Sequence, residues 1–309
     1  MAAQLSPEYT EVLRQIVDKA EGAARQGNAE ASYVLARLSA CGAGLAFDLK
    51  AAVRHLEQAS ERMHHLAQAE LAALSGDWAL ASQIIAAAKP RPEWVRPRRP
   101  VDSAAWLHIP RAEQLAAEPR IAAIRGFISP HACEWLIRIA RPLLARAQIY
   151  DNTTGGKTDD ERRNNAAAEL QLPHMDTVTA FIRARIAALI DVPISWLNAE
   201  SCQIMHYDVG QQFVPHHDFL DPGNPALTSD IAAHGQRVIT VLIYLNEDYE
   251  GGQTAFPLIG SEFKGHKGDV LVFWNVRPDG TPDPQTLHAG TPPTKGEKWL
   301  LSQWVRQLD

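Results

Sequence analysis

Cysteine is scarce in this sequence. Among its 309 residues only Cys41, Cys133 and Cys202 are cysteines, and they lie far apart with no CxxC pair. An odd and scattered set of this kind excludes a disulfide framework and a structural zinc site of the usual spacing. Few cysteines also fit a reducing compartment, so we expect a cytoplasmic protein.

Long apolar runs are missing as well. No stretch approaches the about 20 apolar residues that a membrane-spanning helix needs, and the first residues lack the charged-then-apolar order of a signal peptide. We therefore expect neither a membrane partner nor a secretion signal. One basic run, KPRPEWVRPRRPVD, stands in a chain of formal net charge -6. It reads as a semi-rigid extended linker, and no nucleic-acid partner is expected.

The most specific feature of the sequence is a set of possible metal ligands near its C-terminus. His216 and Asp218 are two positions apart in VPHHDFLD, and His288 follows in TLHAG. On an extended strand His216 and Asp218 share a face while His217 points away. Two imidazoles and one carboxylate are the ligand set of a facial Fe(II) site with open coordination positions, which indicates an O2-activating enzyme. A solvated His–Asp pair on a surface loop is the competing interpretation.

Apolar and alternating runs surround these ligands. We predict strands over residues 238–245, around residues 254–256, over 269–276 and over 298–306. Alternation in the last of them places Lys298, Leu300, Ser302 and Trp304 on one face. Since His288 must arrive from a distant part of the sheet, the pattern favours a barrel-like sandwich.

At this point a family resemblance becomes specific. The stretch from about residue 121 to 306 resembles the catalytic domain of prolyl 4-hydroxylases, within the Fe(II)- and 2-oxoglutarate-dependent dioxygenases. The matching pieces, in chain order, are GFISPHACEWL, YDVGQQFVPHHD, RVITVLIYLN, GGQTAFP, KGDVLVFWN and LHAGTPPTKGEKW. The resemblance implies a double-stranded β-helix (jelly-roll) with flanking helices over residues 119–309.

The resemblance also implies roles for single residues. His216, Asp218 and His288 would be the iron ligands, Lys298 would pair with the distal carboxylate of 2-oxoglutarate, and the hydroxyls of Tyr207 and Thr254 would bind the same carboxylate. The implied cofactors are Fe(II), 2-oxoglutarate as cosubstrate and O2, with ascorbate as a reductant. The reaction would convert 2-oxoglutarate to succinate and hydroxylate a C–H bond. The carboxylate of Asp218 argues for hydroxylation, because related halogenases have a small residue there.

Four further residues are candidate substrate contacts. Arg237 matches a family position associated with substrate, and Trp304 and Arg306 share the Lys298 face. Arg163 belongs to a substrate-facing region, although Asn164 and Asn165 follow it where the family often has small hydroxyl residues. Core packing is the alternative for Trp304 and Tyr207, and a surface salt bridge is the alternative for Arg237 and Arg306.

The first part of the chain has a different character. Residues 6–88 are rich in Ala, Leu and Glu, and NAEASYVLARL matches HHLAQAELAAL with an offset of 36 residues. Two helices in a period of this length indicate a tetratricopeptide-like α-solenoid, and the details resemble a Sel-like repeat. We predict a helical repeat domain over residues 1–90 and a Pro/Arg-rich linker over residues 91–118. So few repeats are expected to dock on the catalytic domain or on another protomer.

Three functions follow from these patterns. The first is hydroxylation of a prolyl (or other) residue of a peptide or protein, with the repeats as a peptide-binding or purely structural element. The second is hydroxylation of a free amino acid or other small molecule, with the repeats used to form a homodimer. The third is a catalytically inert, repeat-bearing interaction protein, which the complete set of iron and 2-oxoglutarate residues disfavours.

Overall fold

The computed structural model describes residues 7–87, 89–150 and 157–307. They fall into two compact units, one containing the described part of Gln4–Ile109 together with Leu172–Ile194, the other containing Pro110–Gln171 and the residues from Ser195 onward. The first unit is helical, and the second is built on antiparallel β-sheet.

The helices are α1 Pro7–Arg25, α2 Ala29–Cys41, α3 Leu49–Glu61, α4 His65–Leu74, α5 Trp78–Ala86, α6 Ser103–Leu107, α7 Pro130–Ala140, α8 Thr177–Ile190, α9 Ile194–Asn198 and α10 Pro225–His234. The strands are β1 Glu113–Ala116, β2 Ile121–Ile124, β3 Ala145–Arg146, β4 Ile149–Tyr150, β5 Lys157–Thr158, β6 Ala166–Leu170, β7 Cys202–Tyr207, β8 Phe213–His216, β9 Arg237–Tyr244, β10 Glu250–Gly251, β11 Thr254–Phe256, β12 Ser261–Phe263, β13 Val270–Trp274, β14 His288–Gly290, β15 Pro293–Lys295 and β16 Lys298–Arg306. Short 3-10 turns cover Pro92–Trp94, Arg141–Leu143, Leu172–His174 and Pro284–Thr286.

Helices α2 and α4, which match in sequence, are capped in the same way at their N-termini. The Asn28 carboxamide oxygen accepts a hydrogen bond from the Ala31 N–H at 2.9 Å, and the His64 imidazole accepts one from the Ala67 N–H at 3.1 Å. Such side-chain acceptors satisfy N–H groups that have no partner within the helix. The repeat in the sequence therefore recurs in local structure, while its assignment as a Sel-like solenoid stays a prediction.

Helix α8 lies in the sequence that was predicted to be catalytic domain, yet it packs within the helical unit against α2 and α4. The buried Glu70 carboxylate accepts hydrogen bonds from the Tyr33 hydroxyl and, at 2.9 Å, from the Thr177 N–H that begins α8. Burial raises the pKa of Glu70 to about 7. Most side chains of α8 are buried, so this helix needs apolar partners, and α2 and α4 supply them.

The segment predicted as a linker is also more structured than expected. Trp94 is buried, and the Trp106 indole N–H donates to the Leu74 carbonyl at 2.8 Å. Strand β1, at the end of the segment, pairs with β2. Burial of Trp94 and the hydrogen bond of the half-buried Trp106 fix much of a stretch whose proline and arginine content suggested an extended spacer.

Two antiparallel sheets dominate the second unit. The larger sheet has the order β1-β2-β13-β9-β16-β7-β6-β3, and the smaller has the order β12-β11-β14-β8. The four strands predicted from the sequence are confirmed as β9, β11, β13 and β16. Strand β9 is buried along its whole length, as its unbroken apolar run indicates.

A buried cluster joins the two sheets. Phe256 and Phe263 come from the smaller sheet, and Leu242, Phe273 and Leu300 are among the residues that meet them from the larger one. The Phe256 and Phe273 rings pack edge to face with centroids 5.3 Å apart. The cluster holds the inner faces of both sheets together, and the candidate site lies between the same faces.

Within the residues described, no helix combines the length and the apolar character that a bilayer crossing requires. All three cysteines are buried free thiols.

Candidate active site

The three predicted ligands meet on the smaller sheet. His216 ends β8, His288 begins β14, and the two are direct partners across these antiparallel strands. Asp218 follows β8, with Oδ1 3.5 Å from His216 Nε2 and Oδ2 3.4 Å from His288 Nε2. One ligand atom from each residue can therefore be chosen with all three within 4.8 Å of one another. This grouping fits one metal ion.

Both histidines are oriented for ligation through Nε2. The His216 Nδ1–H donates to the Val214 carbonyl at 2.8 Å, and the His288 Nδ1–H donates to the Thr286 carbonyl at 3.0 Å. A backbone bond to one ring nitrogen fixes the tautomer and leaves the other nitrogen as a lone-pair donor. Burial lowers the pKa of His288 to about 4, so its ring is neutral at physiological pH.

The third ligand is held as an anion. Burial alone would raise the pKa of Asp218, but His288, His216 and a hydrogen bond from Thr240 together hold it well below its usual range. The Asp218 carboxylate is 4% exposed, so its charge calls for a cationic partner. Two imidazoles and one buried carboxylate suit a divalent ion such as Fe(II).

Arg163 and Phe213 form a stacked column on the first ligand. The Phe213 and His216 rings lie nearly parallel, at an interplanar angle of 14° with centroids 3.4 Å apart. The Arg163 guanidinium carbon lies 5.0 Å from the centre of the Phe213 ring. Arg163 is buried, and its guanidinium donates to the Gln148 carbonyl and the Gln203 side chain. It therefore lies beside the candidate metal site, as its prediction as a substrate contact requires.

Lys298 lines a narrow cavity next to the ligands. This side chain is 1% exposed and forms no ion pair with any residue that the structure describes. Burial, with a smaller contribution from the nearby Lys264, lowers the pKa of Lys298 to about 7. An unpaired buried ammonium is costly unless an anion joins it. The Lys298 ammonium thus suits a small carboxylate.

The predicted hydroxyl partners line the same cavity. Tyr207 and Thr254 both contribute to its wall. The Tyr207 hydroxyl has only the Met205 sulfur, at 3.6 Å, as a partner among the described residues, and burial raises the pKa of Tyr207 to about 12. The Thr254 hydroxyl is bonded to the Tyr244 hydroxyl at 2.7 Å. Lys298, Tyr207 and Thr254 are thus brought together as the resemblance implied.

A second groove, of about 730 Å³, also reaches two of the ligands, His216 and Asp218. Arg237 and Trp304 line this groove, with the Arg237 guanidinium carbon 3.8 Å from the centre of the Trp304 ring. The Trp304 indole nitrogen is buried and has no hydrogen-bond partner in the described part of the chain. Both residues therefore lie where a substrate contact would need them.

Arg306 lies elsewhere. Its guanidinium donates to Glu200 at 2.7 Å and to Asp230 at 2.8 Å, and Arg237 donates to the same Glu200 oxygen at 2.7 Å. Strict alternation predicted that Arg306 shares the Lys298 face and lines the pocket. The pairing register of β16 shifts between Val305 and Arg306, and Arg306 is absent from the described lining of both cavities. The alternative of a salt bridge describes it better, although the bridge is buried.

A second group of possible ligands carries no metal assignment. His206, Asp208 and Glu297 also bring ligand atoms within 4.8 Å of one another. Glu297 already bonds His206 at 2.7 Å and Arg141 at 3.3 Å. An arginine at the carboxylate supplies the charge that a cation would supply.

The comparisons with known proteins agree with this geometry. The profile of the 2OG-Fe(II) oxygenase superfamily matches residues 202–306, which include the three candidate ligands and Lys298. Prolyl 4-hydroxylase 5 of Arabidopsis thaliana is 35% identical over 212 residues, covering 62% of this chain and 70% of the relative. The chain belongs to the prolyl 4-hydroxylase-like 2OG-Fe(II) oxygenases. It is a 2-oxoglutarate-dependent dioxygenase, and its family uses Fe(II), 2-oxoglutarate and O2.

Two further similarities complete the comparison. Prolyl 4-hydroxylase 1 of Arabidopsis thaliana is 35% identical over 211 residues, covering 64% of this chain and 72% of the relative. The crystal structure of a viral collagen prolyl hydroxylase from Paramecium Bursaria Chlorella virus-1, in a 2OG complex, is 26% identical. It covers 61% of this chain and 96% of its own, with a TM-score of 0.46.

Several residues of this oxygenase site were missed from the sequence. Tyr244 bonds Thr254, Thr240 bonds Asp218, and Phe213 stacks on His216. Alternation along β9 was an available signal, because Thr240 and Tyr244 share a face and pair with β16 positions already assigned to the pocket face. Phe213 had no such signal, because ring stacking depends on side-chain geometry.

Proposed function

We propose that this oxygenase hydroxylates a prolyl (or other) residue of a peptide or protein, with conversion of 2-oxoglutarate to succinate and CO2. The observation that carries the proposal is the open groove of about 730 Å³ at the iron ligands, which offers far more room than a free amino acid fills. The similarity to prolyl 4-hydroxylases supports the same substrate class. We also propose that the two antiparallel sheets together form a double-stranded β-helix.

In this proposal the narrow cavity and the groove have separate tasks. His216, Asp218 and His288 hold Fe(II), which supplies O2 activation coupled to oxidative decarboxylation of 2-oxoglutarate. Lys298 neutralises the distal carboxylate of the cosubstrate, and this pairing orients its keto-acid end toward the ligands. The hydroxyl of Tyr207 donates to the same carboxylate.

The groove would hold the substrate. Arg163 and Arg237 present guanidinium groups, which match backbone carbonyls or acidic side chains of a peptide. The Trp304 ring, packed against the Arg237 guanidinium, offers the peptide an aromatic wall. Once a peptide fills the groove, water is kept from the reacting C–H bond.

Substrate class is tested by comparing proline-containing peptides with free proline. We expect 2-oxoglutarate-dependent succinate release to rise with peptide and not with the free amino acid, together with a mass gain of one oxygen atom in the peptide. His288→Ala is the control, because it removes an iron ligand without altering the far end of the groove. Equal turnover of free proline would instead favour the small-molecule alternative. The inert alternative is disfavoured by the family to which the chain belongs.

We also propose that the helical unit is a Sel-like repeat module that helps bind a peptide or protein partner. The matched capping of α2 and α4 supports the repeat. Its alternative use is a homodimer, for which the exposed Val12 and Ile16 on α1 offer an apolar contact. Sedimentation of the full chain with Val12→Glu and Ile16→Glu separates these uses, since only a dimer that uses α1 would dissociate. Ascorbate dependence and a cytoplasmic location remain predictions.

A further inference from the structure

A chain of two hydrogen bonds ends on the carboxylate that serves as the third candidate iron ligand. The Thr240 hydroxyl donates to Asp218 Oδ2 at 2.8 Å, and the Asn275 side-chain N–H donates to Thr240 Oγ1 at 2.9 Å. Thr240 and Asn275 are each 0% exposed. Thr240 lies on β9, Asn275 directly follows β13, and Asp218 follows β8 of the other sheet. Both sheets therefore contribute to the position of one carboxylate.

The direction of each hydrogen bond is fixed by chemistry. An ionised carboxylate only accepts, so the Thr240 proton must point toward Asp218. The oxygen of Thr240 is then free to accept, and the Asn275 amide is the group that donates to it. The Asn275 backbone N–H donates to the Val238 carbonyl at 2.9 Å, which anchors Asn275 to the strand that carries Thr240. Asn275 thereby orients the hydroxyl, and the hydroxyl orients the carboxylate.

The unused oxygen of Asn275 supports this assignment. Asn275 Oδ1 is buried and has no hydrogen-bond partner among the described residues. A buried acceptor without a partner costs roughly 1–3 kcal/mol. If Asn275 only filled space in the core, an apolar side chain of similar size would give a more stable fold. The presence of Asn275 at this place is explained if its N–H group is needed to orient the Thr240 hydroxyl.

From this geometry we infer that Thr240 and Asn275 are positioning residues that make Asp218 a ligand through one oxygen. The Thr240 hydroxyl takes one lone pair of Oδ2, 3.4 Å from His288 Nε2, and so would make Oδ1, 3.5 Å from His216 Nε2, the better metal ligand. A carboxylate that bound through both oxygens would take one more coordination position. Three protein ligand atoms leave three positions on an octahedral ion, which is what a bidentate keto acid and O2 require together. The inference rests on the iron-ligand assignment above and is independent of the substrate.

The test uses Co(II), which replaces Fe(II) without reacting with O2, titrated into the metal-free full chain. Thr240→Val keeps the shape and removes the donor, and we expect its Co(II) affinity to fall by about ten- to a hundredfold. The ligand-field spectrum should also change, because the freed carboxylate can bind through both oxygens. Thr240→Ser keeps the donor and should bind Co(II) like the wild type.

Asn275→Leu provides a second, independent variant. It removes the donor to Thr240 but leaves the Thr240 hydroxyl, so we expect a smaller loss of Co(II) affinity than in Thr240→Val. Thermal unfolding of each metal-free variant reports the purely structural contribution. The inference is overturned if Thr240→Val and Asn275→Leu bind Co(II) with wild-type affinity and spectrum, whatever their unfolding temperatures.

His288→Ala distinguishes an error in the ligand assignment from an error in the positioning role of Thr240. If it binds Co(II) as tightly as the wild type, the ligand assignment itself is wrong and the inference falls with it. If it loses Co(II) while Thr240→Val does not, the ligands stand and only the positioning role is refuted. Peptide hydroxylation enters none of these measurements, so failure of the proposed substrate class is recognised separately.

Discussion

Two buried cationic side chains on the same strand differ in whether they have an anionic partner. Lys298, at the start of β16, has no anionic partner among the described residues. Arg306, at the end of β16, is 2% exposed and bonds the carboxylates of Glu200 and Asp230, and Arg237 adds a second guanidinium at Glu200. One strand thus carries an uncompensated charge at one end and a compensated network at the other.

The difference separates a binding site from a structural one. A buried ion pair with several hydrogen bonds stabilises the fold only weakly overall, but removal of one partner leaves a charge stranded. A buried ammonium without an anion is already stranded, so it destabilises the empty protein and favours whatever anion enters. We therefore expect charge removal to cost stability at the Arg306 end and cosubstrate affinity at the Lys298 end.

The largest expected effect is on stability, at Glu200. Glu200→Gln should lower the free energy of unfolding by about 3–5 kcal/mol, because it leaves Arg237 and Arg306 buried beside a neutral side chain. Denaturant unfolding of the metal-free chain measures this loss. Glu262→Gln, at an exposed carboxylate of β12, is the matched control and should be neutral. A loss no greater than in the control would mean that the network is dispensable.

Charge removal at Lys298 should act on binding instead. Lys298→Met should weaken 2-oxoglutarate binding on the order of a hundredfold, since a buried carboxylate loses its counter-charge. Divalent metal affinity should be unchanged, because Lys298 is not a candidate ligand, and the free energy of unfolding should not fall. Calorimetric titration of the Co(II)-loaded protein with 2-oxoglutarate measures the first effect. Wild-type affinity in the variant would refute the assigned role.

The pKa of Lys298, about 7, makes this difference depend on pH. Only the ammonium form neutralises a carboxylate, so 2-oxoglutarate affinity should fall above about pH 7, approaching tenfold per pH unit. The folded-state pKa lies below the unfolded value of about 10.4, so between these values the unfolded chain binds more protons. This group therefore makes the empty protein more stable as pH rises through that window.

The free energy of unfolding and the 2-oxoglutarate affinity are measured at each pH for the wild type and for Lys298→Met. Other groups titrate equally in both proteins, so the difference between them reports Lys298. The difference in free energy of unfolding between them should shift in favour of the wild type as the pH increases from about 7 to 10. The affinity loss with pH should be absent in the variant. Parallel pH profiles for the two proteins would show that Lys298 titrates outside this range.

Sequence pattern predicted the ligand set because that set is local and chemical. His216 and Asp218 are two positions apart and meet as predicted, although the strand ends at His216 and Asp218 follows it. The apolar runs that became β9 and β13 needed no tertiary information. The same alternation did not place Arg306 in a cavity wall: the register shift beside it leaves Val238 of β9 as an extra residue, and the Arg306 guanidinium bonds Glu200 and Asp230 instead. A bulge of this kind depends on the partner strand and leaves no mark in the residues themselves.

Helix α8 could not be assigned to its unit from sequence for a similar reason. Its apolar surface indicates that it must be buried, but the pattern does not say against which element. The contacts that decide it are specific, such as the Glu70 carboxylate at the Thr177 N–H. Thr240 was missed because threonine is an ordinary strand former, and its hydroxyl gains a role only through the carboxylate opposite it.

The smallest predicted effect concerns a single hydroxyl. Tyr207→Phe should weaken 2-oxoglutarate binding by about tenfold, because it removes one hydrogen bond to a charged group, worth roughly 1.5–3 kcal/mol. Tyr249→Phe is the matched control: its hydroxyl is buried without a partner among the described residues, whereas that of Tyr207 has the Met205 sulfur, and Tyr249 does not line the cavity of Lys298. Calorimetric titration of both Co(II)-loaded variants with 2-oxoglutarate measures the two affinities. Equal losses of 2-oxoglutarate affinity in the two variants would mean that the tyrosine hydroxyls act through packing. A loss confined to Tyr207→Phe would show that the cosubstrate end of β16 differs from the Arg306 end in its neutral donors as well as in its charges.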